Sequence, residues 1–279
     1  MLNAVKSAVC GKKWLVFVLV CCMAVLGSSV ANAVRKKITD SKETKEVSKK
    51  EKKEAKKPVD EKGLVAYWNF DDGQGTTAKD STGKGNDAVL NGMDGRTCWV
   101  DGISGKALSF DGVKSYVDCG SKEIFNFGTN SFTFSLWVYV KSSITEYDRA
   151  ICKGGNSDSQ PGFSIGLGLG DWGASITDPE KKQAGVLFGT ESESLNQWVY
   201  LAVVVDREAN LVYGYRDGIL TGSSDITGFG SVSNTFPITI GTIPYVGYWF
   251  KGIIDEVKLY NRALSMDEIK SQYDSLAKK

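Results

Sequence analysis

The sequence predicts an all-β protein built as two packed antiparallel sheets, closed by one short C-terminal helix. Three observations predict it. From Gly63 onward, more than ten short apolar or alternating runs recur, separated by Gly, Asn, Asp and Ser. In the run 132–140, alternation puts Phe132, Phe134, Leu136, Val138 and Val140 on one face and Trp137 and Tyr139 on the other, as in a strand with one face in a core. No long helical period alternates with these runs, which leaves a sandwich rather than a parallel α/β sheet.

The predicted strands follow in order: 64–70, 106–110, 115–118, 132–140, 163–169, 184–189, 198–206, 211–217, 237–241 and 249–260. Asp217-Gly218 supplies a hairpin turn. The loop-rich stretch 154–184 resists assignment of strand pairing. The helix has a capping box, with Ser265 as N-cap and Glu268 three positions on. Leu264 and Ile269 form a hydrophobic staple across that cap. Ile269, Tyr273 and Leu276 then make a single apolar stripe, by which the helix should lie on the sandwich.

Residues 1–33 read as a secretory signal. Lys6, Lys12 and Lys13 precede the apolar run 14–26, and Ala31-Asn32-Ala33 gives an A-x-A cleavage pattern. The run is shorter than a bilayer span, so cleavage is the expectation; retention as an anchor is the alternative. An extracytoplasmic location, in the periplasm, on the cell surface or secreted, follows. Residues 34–62 hold 12 Lys/Arg and 7 Asp/Glu and too few apolar residues for a core. They form a charged linker, read either as a solvated spacer or as a basic strip touching an anionic envelope. Residues 63–279, the predicted folded domain, hold 19 Lys/Arg and 26 Asp/Glu, a net charge of −7. That sign disfavours a nucleic-acid partner.

Of six cysteines, Cys98, Cys119 and Cys152 remain after the signal. Outside the cytoplasm a disulfide is permitted, and Cys98–Cys119 is the expected pair, with three buried free thiols as the alternative. The sequence has no histidine, which removes the commonest general base and the usual nucleophilic triads.

The order of motifs resembles the laminin-G-like (concanavalin-A-like) jelly-roll family, in its bacterial branch. The resemblance runs through LVAYWNFDDGQG (64–75), DSTGKGNDAVL (80–90), GKALSFDGVKSYVDCG (105–120) and SFTFSLWVYV (131–140). It continues in NQWVYLAVVVDREANLVYGYRDG (196–218), ITIG (238–241) and FKGIIDEVKLYNRALSMDEI (250–269). It implies a jelly-roll sandwich that binds carbohydrate or cell-surface protein, often with calcium.

Calcium takes six to eight oxygens at sharply bent loops. Asp71, Asp80 and Asn86 in the opening loops, with Asp255 on a final strand expected beside the first, are the candidate ligands. Ordinary Asx-turn chemistry is the competing reading of the same residues. Trp172, Phe229, Tyr245 and Tyr248 are aromatics in Gly-rich loops, suited to stacking on a sugar or a protein surface. Packing over the ends of the sandwich is the alternative for each. No catalytic residue is expected: the Glu-x-Asp-x-x-Glu strand of glucan-cleaving relatives is missing, and strict alternation turns Asp255 and Glu256 to opposite faces. The leading expectation is a secreted, non-catalytic binding module for a glycan or surface protein, with calcium as a possible aid. A structural or adhesive surface component and an atypical glycoside hydrolase or lyase are the other readings.

Overall fold

The computed structural model describes residues 62–141, 148–154, 160–168, 170–243 and 246–277. These belong to one compact unit, Pro58–Lys279. The predicted signal, all but the last residue of the charged linker, and Tyr245 lie outside the described residues.

Among the described residues, two antiparallel sheets carry eight strands each. The first runs β14 (Ile219–Asp225), β13 (Leu211–Arg216), β12 (Trp198–Asp206), β7 (Phe132–Tyr139), β18 (Lys251–Tyr260), β5 (Lys106–Asp111) and β4 (Trp99–Asp101). Its eighth strand, β1 (Leu64–Trp68), also pairs with β18, so first and last strands lie side by side as expected. The second sheet begins β11 (Gln183–Thr190), β10 (Asp171–Thr177), β9 (Gly162–Gly168) and β8 (Asp148–Gly154). It continues through β15 (Ile238–Ile240), β6 (Tyr116–Asp118), β3 (Ala88–Asn91) and β2 (Thr77–Ala78). A small hairpin of β16 (Thr242–Ile243) and β17 (Tyr248–Trp249) follows β15 and packs against β8.

Period-two alternation builds the core. Phe132, Phe134, Leu136 and Val138 of β7 face inward with Val199, Leu201, Val203 and Val205 of β12. They meet Phe163, Ile165 and Leu167 of β9 and Trp172, Ala174 and Ile176 of β10. The Phe163 ring sits 4.7 Å from Phe134 and 5.1 Å from Phe132, so the two sheets touch there through aromatic contacts. Each such buried side chain contributes about 2–3 kcal/mol.

The opposite face of the first sheet carries a second apolar layer of Trp137, Tyr200, Ala202, Val204, Tyr215 and Tyr260. Helix α1 (Met266–Leu276) covers it with Ile269 and Leu276, and Tyr273 stacks on Trp137 at 5.6 Å. Gln272 satisfies the two buried phenols, accepting from Tyr200 (3.0 Å) and donating to Tyr260 (3.1 Å). The capping box forms as read: Ser265 Oγ accepts from the Glu268 amide and the Glu268 carboxylate from the Ser265 amide. The β13–β14 hairpin closes on Asp217 (φ 52°) and Gly218 (φ 77°), the paired left-handed geometry that makes Asp-Gly a hairpin turn.

The stretch 154–184 contains the end of β8, the β9–β10 hairpin and the start of β11. Glycine and serine fill much of the face of β9 and β10 away from the core, which dilutes the apolar pattern along this stretch. The expected Cys98–Cys119 bridge is not formed: Cys98, Cys119 and Cys152 are buried free thiols. Cys98 leads into β4 of the first sheet, whereas Cys119 follows β6 of the second, so closeness in sequence places the two in different layers. Burial pushes all three thiols up, Cys152 to about 12, and holds them protonated and unreactive. Thermal melting with and without a reductant should coincide. A fall of several degrees on reduction would show that a structural bridge exists.

Candidate functional site

The opening loops are organised by their carboxylates. Asp80 Oδ1 accepts from the Tyr67 amide (3.2 Å), the Thr82 amide (3.0 Å) and the Thr82 hydroxyl (2.7 Å), and Oδ2 from the Asn86 amide (3.1 Å). Burial pushes the Asp80 carboxyl up, but the bonds from Thr82, Tyr67 and Asn86 outweigh it and hold the group below its usual range. Asn86 Nδ2 donates to the Val65 carbonyl (3.1 Å). Asp71 Oδ1 accepts from the Lys106 amide (2.7 Å). Asp255 Oδ2 accepts from the Ile103 (3.0 Å) and Ser104 (3.4 Å) amides.

The expected calcium ligands Asp71, Asp80, Asn86 and Asp255 are thus not assembled into one ligand set. Asp71 and Asp255 both accept from amides of the turn between β4 and β5, Asp71 from Lys106 and Asp255 from Ile103 and Ser104, whereas Asp80 holds the turn from Thr82 to Asn86; among the described residues no three His, Cys, Asp or Glu gather as a metal-binding group. Asx-type turn chemistry accounts for Asp80, whose Oδ1 accepts from the Thr82 amide two residues on, whereas Asp71 and Asp255 make long-range bonds to the turn between β4 and β5.

Strand β18 departs from strict alternation. Its first half pairs with β5 through Ile254↔Leu108, its second with β1 through Val257↔Trp68, and a bulge at Asp255–Glu256 marks the handover. Glu256 takes φ 56°, unusual for a residue with a Cβ. The extra residue brings Asp255, Glu256 and Lys258 to the same side, correcting the expectation of opposite faces. Tyr67 donates to Glu256 (2.6 Å), and Lys258 lies 3.6 Å from Glu256 and 4.5 Å from the Tyr67 ring centroid. Burial first and the neighbouring Glu256 second push Asp255 up to about 8. The same two causes raise Tyr67 well above the usual phenol range. Asp255, Glu256 and Lys258 are buried and already partnered, so the cluster holds the fold together and offers no open acid–base pair.

The expected loop aromatics separate. Trp172 is fully buried, its ring 6.2 Å from Phe250, because the alternation of β10 turns it inward with Ala174 and Ile176. It has no face to offer a ligand. Phe229 is half-buried against the core. Tyr248 is half-buried on β17.

Next to Tyr248 on that hairpin is Trp249, the first residue of the predicted strand 249–260. Trp249 is half-exposed and lies against Tyr116, ring centroids 5.9 Å apart and planes tilted 53°. Val117 points into the core, so Tyr116 and Asp118 point to the outer face of the second sheet. The register sets Asn91 beside Tyr116 and Val89 beside Asp118, with Val89 53% exposed. Two aromatic rings, a carboxylate and an amide therefore share one surface. Tyr116 and Trp249 are 133 positions apart, and no local pattern couples them.

A family model described as Laminin_G_3, concanavalin A-like lectin/glucanases superfamily, matches residues 111–270, more than half of the chain. The chain belongs to this superfamily. The match spans β6, the hairpin bearing Trp249 and the start of α1. A non-toxic nonhemagglutinin of Paraclostridium bifermentans is 26% identical over 174 residues, 62% of this chain and 14% of that protein. The binding domain of Paraclostridial Mosquitocidal Protein 1 superposes with a TM-score of 0.64 at 19% identity, covering 77% of this chain and 52% of that one. The botulinum neurotoxin serotype G binding domain gives 0.63 at 14% identity, covering 76% and 51%. This member of the superfamily thus spans about one-seventh of the first relative and about half of each binding domain, and the likeness to the two solved structures establishes the fold. None of the three is named for a reaction.

Proposed function

We propose that this chain is an extracytoplasmic, non-catalytic binding module that recognises a surface carbohydrate on the outer face of its second sheet. The observation that carries this reading is the half-exposed Tyr116–Trp249 ring pair beside Asp118 and Asn91. Sugars present an apolar face of C–H groups and an edge of hydroxyls. A tilted aromatic pair complements the face, and carboxylate and amide groups complement the edge. Family membership supports a lectin-like role, and the secretory pattern at residues 1–33 supports the location. That two solved structures of this fold are named as binding domains of toxins adds weight to binding over catalysis.

A glycan array with the full chain, followed by titration of any hit against Trp249→Ala and Tyr116→Ala, tests the proposal. Each substitution should weaken binding by about tenfold or more, as expected for an aromatic anchor, while leaving the melting temperature within a few degrees. An array with no sugar bound would overturn the carbohydrate reading in favour of a protein receptor. Release of reducing sugar from a polysaccharide panel would overturn the non-catalytic one.

A further inference from the structure

A concavity of about 660 Å³ lies where the turn at Glu123–Phe125, the residues before β7, the β12–β13 turn and the segment between β18 and α1 meet. That volume suits a mono- or disaccharide. Its polar side chains come from separate connections. Asn130 precedes β7, Glu208 lies in the β12–β13 turn, and Asn261 follows β18. None of these three side chains makes a hydrogen bond to a described residue. By contrast, Asp206 holds its own turn, accepting from the amides of Glu208 and Ala209, both at 3.0 Å. Ile124, 50% exposed, and Phe127 give the concavity an apolar side.

The charge of this concavity is one-sided. Arg262 is its one cationic side chain, but it is held by Glu268 at 2.6 Å and 3.0 Å, and its Nε donates to the Lys62 carbonyl at 2.7 Å. Glu123 accepts from Asn126 at 3.0 Å and interacts electrostatically with Lys153, which leaves Asp206 and Glu208 as the carboxylates with no cation beside them among the lining side chains. Resting on the carbohydrate reading above, we propose that this pocket is a second sugar subsite, in which Asn130, Glu208 and Asn261 bind the hydroxyl edge of a neutral or amino sugar. An amide offers both donor and acceptor and a carboxylate accepts from two hydroxyls, the complement that vicinal hydroxyls need. The uncompensated carboxylates repel uronic and sialic acids. The pocket and the Tyr116–Trp249 surface are built from different residues, so one chain would hold two points of a branched or clustered glycan and gain avidity.

The test is calorimetric titration of the full chain with glucose-, galactose- and N-acetylglucosamine-terminated oligosaccharides and with glucuronic-acid-terminated counterparts. Wild type should bind neutral oligosaccharides at two sites per chain and the acidic ones more weakly. Asn261→Ala, Asn130→Ala and Glu208→Ala should each weaken one of the sites by about fivefold, one lost hydrogen bond or slightly more, without moving the melting temperature. Trp249→Ala should leave that site intact. A single site abolished by Trp249→Ala and indifferent to the three pocket substitutions would overturn the inference while leaving the sheet-face reading standing. Equal affinity for acidic and neutral sugars at the pocket would overturn its stated specificity. Binding of no sugar by wild type would instead overturn the carbohydrate reading on which both rest.

Discussion

Replacing Asp80 with alanine is expected to lower folding stability by about 3–4 kcal/mol, a fall in melting temperature of roughly 6–15 °C for a domain of this size. The side chain is 5% exposed and accepts four hydrogen bonds. Those bonds tie the Tyr67 amide of β1 to the Thr82 turn and to Asn86. Asn86 extends the chain of dependence, since its carbonyl accepts from the Trp68 indole (2.8 Å) in the core. Alanine removes the common acceptor and leaves four donors without that partner, the Asn86 amide buried and the others partly so. That loss exceeds the net worth of the bonds themselves. Asparagine keeps one oxygen and should lose about half as much. Because the Asp80 carboxyl is held below its ordinary range, its contribution is complete above the unfolded value near 4 and disappears as pH falls through the lower folded value. Urea unfolding of the wild type and both variants at pH 7 measures the effect. A loss under 1 kcal/mol for Asp80→Ala would sink the turn-holding assignment. A large stabilisation of wild type by millimolar calcium, absent in the variant, would restore a metal role to this loop.

The strands that could be read directly were those whose buried face alternates cleanly. Strand β12 occupies the predicted 198–206, and β7 occupies all but the last predicted residue. The strands passed over lacked that contrast. In β14 no residue is buried, so its seven positions carry no apolar period. Strand β9 was legible to within one residue at each end even though Gly166 packs so closely that a Cβ would meet the Asp148 carbonyl oxygen at 2.1 Å. The helix was legible because capping and staple are local chemistry within a few residues. The candidate surface was not legible, because Tyr116 and Trp249 meet only through sheet registry and a hairpin laid over β8. The bulge in β18 was missed for a related reason. It arises from the exchange of β5 for β1 as neighbour, a property of the sheet and not of the segment Asp255-Glu256. Composition did point to carboxylate-rich opening loops, but it could not tell an ion from a backbone amide as their partner.

That bulge sets the second large effect. Asp255 titrates near 8 in the folded protein and near 3.8 when unfolded, so the folded state holds the proton more tightly. Its contribution to stability is fully present below about pH 4 and is lost as pH rises through 8, amounting to a few kcal/mol across that window. The groups around it oppose one another. Glu256 disfavours a second negative charge, while the Ser104, Glu256 and Ile103 amides favour it. Lys258 stands on Glu256 and the Tyr67 phenol donates to the same carboxylate, so the cluster carries no net charge when Asp255 is protonated and one net negative charge when it ionises. The depressed carboxyls of Asp80, Asp111 and Glu268 lose their contributions only at acid pH, so they leave the window from 5 to 8 to Asp255 and the raised Asp217, with buried Lys153, lowered to about 8, entering at its upper end in wild type and variant alike. Asp255→Asn should therefore flatten most of the decline over that window and make the variant more stable than wild type at pH 8.5, where the charge would otherwise stand buried beside Glu256. At pH 4.5 the order should reverse or vanish, because asparagine serves the three amides with one acceptor oxygen fewer. Urea midpoints at half-unit pH steps measure both arms. Parallel wild-type and variant profiles would show that Asp255 is ionised throughout, and that its three amide bonds outweigh both burial and the neighbouring charge.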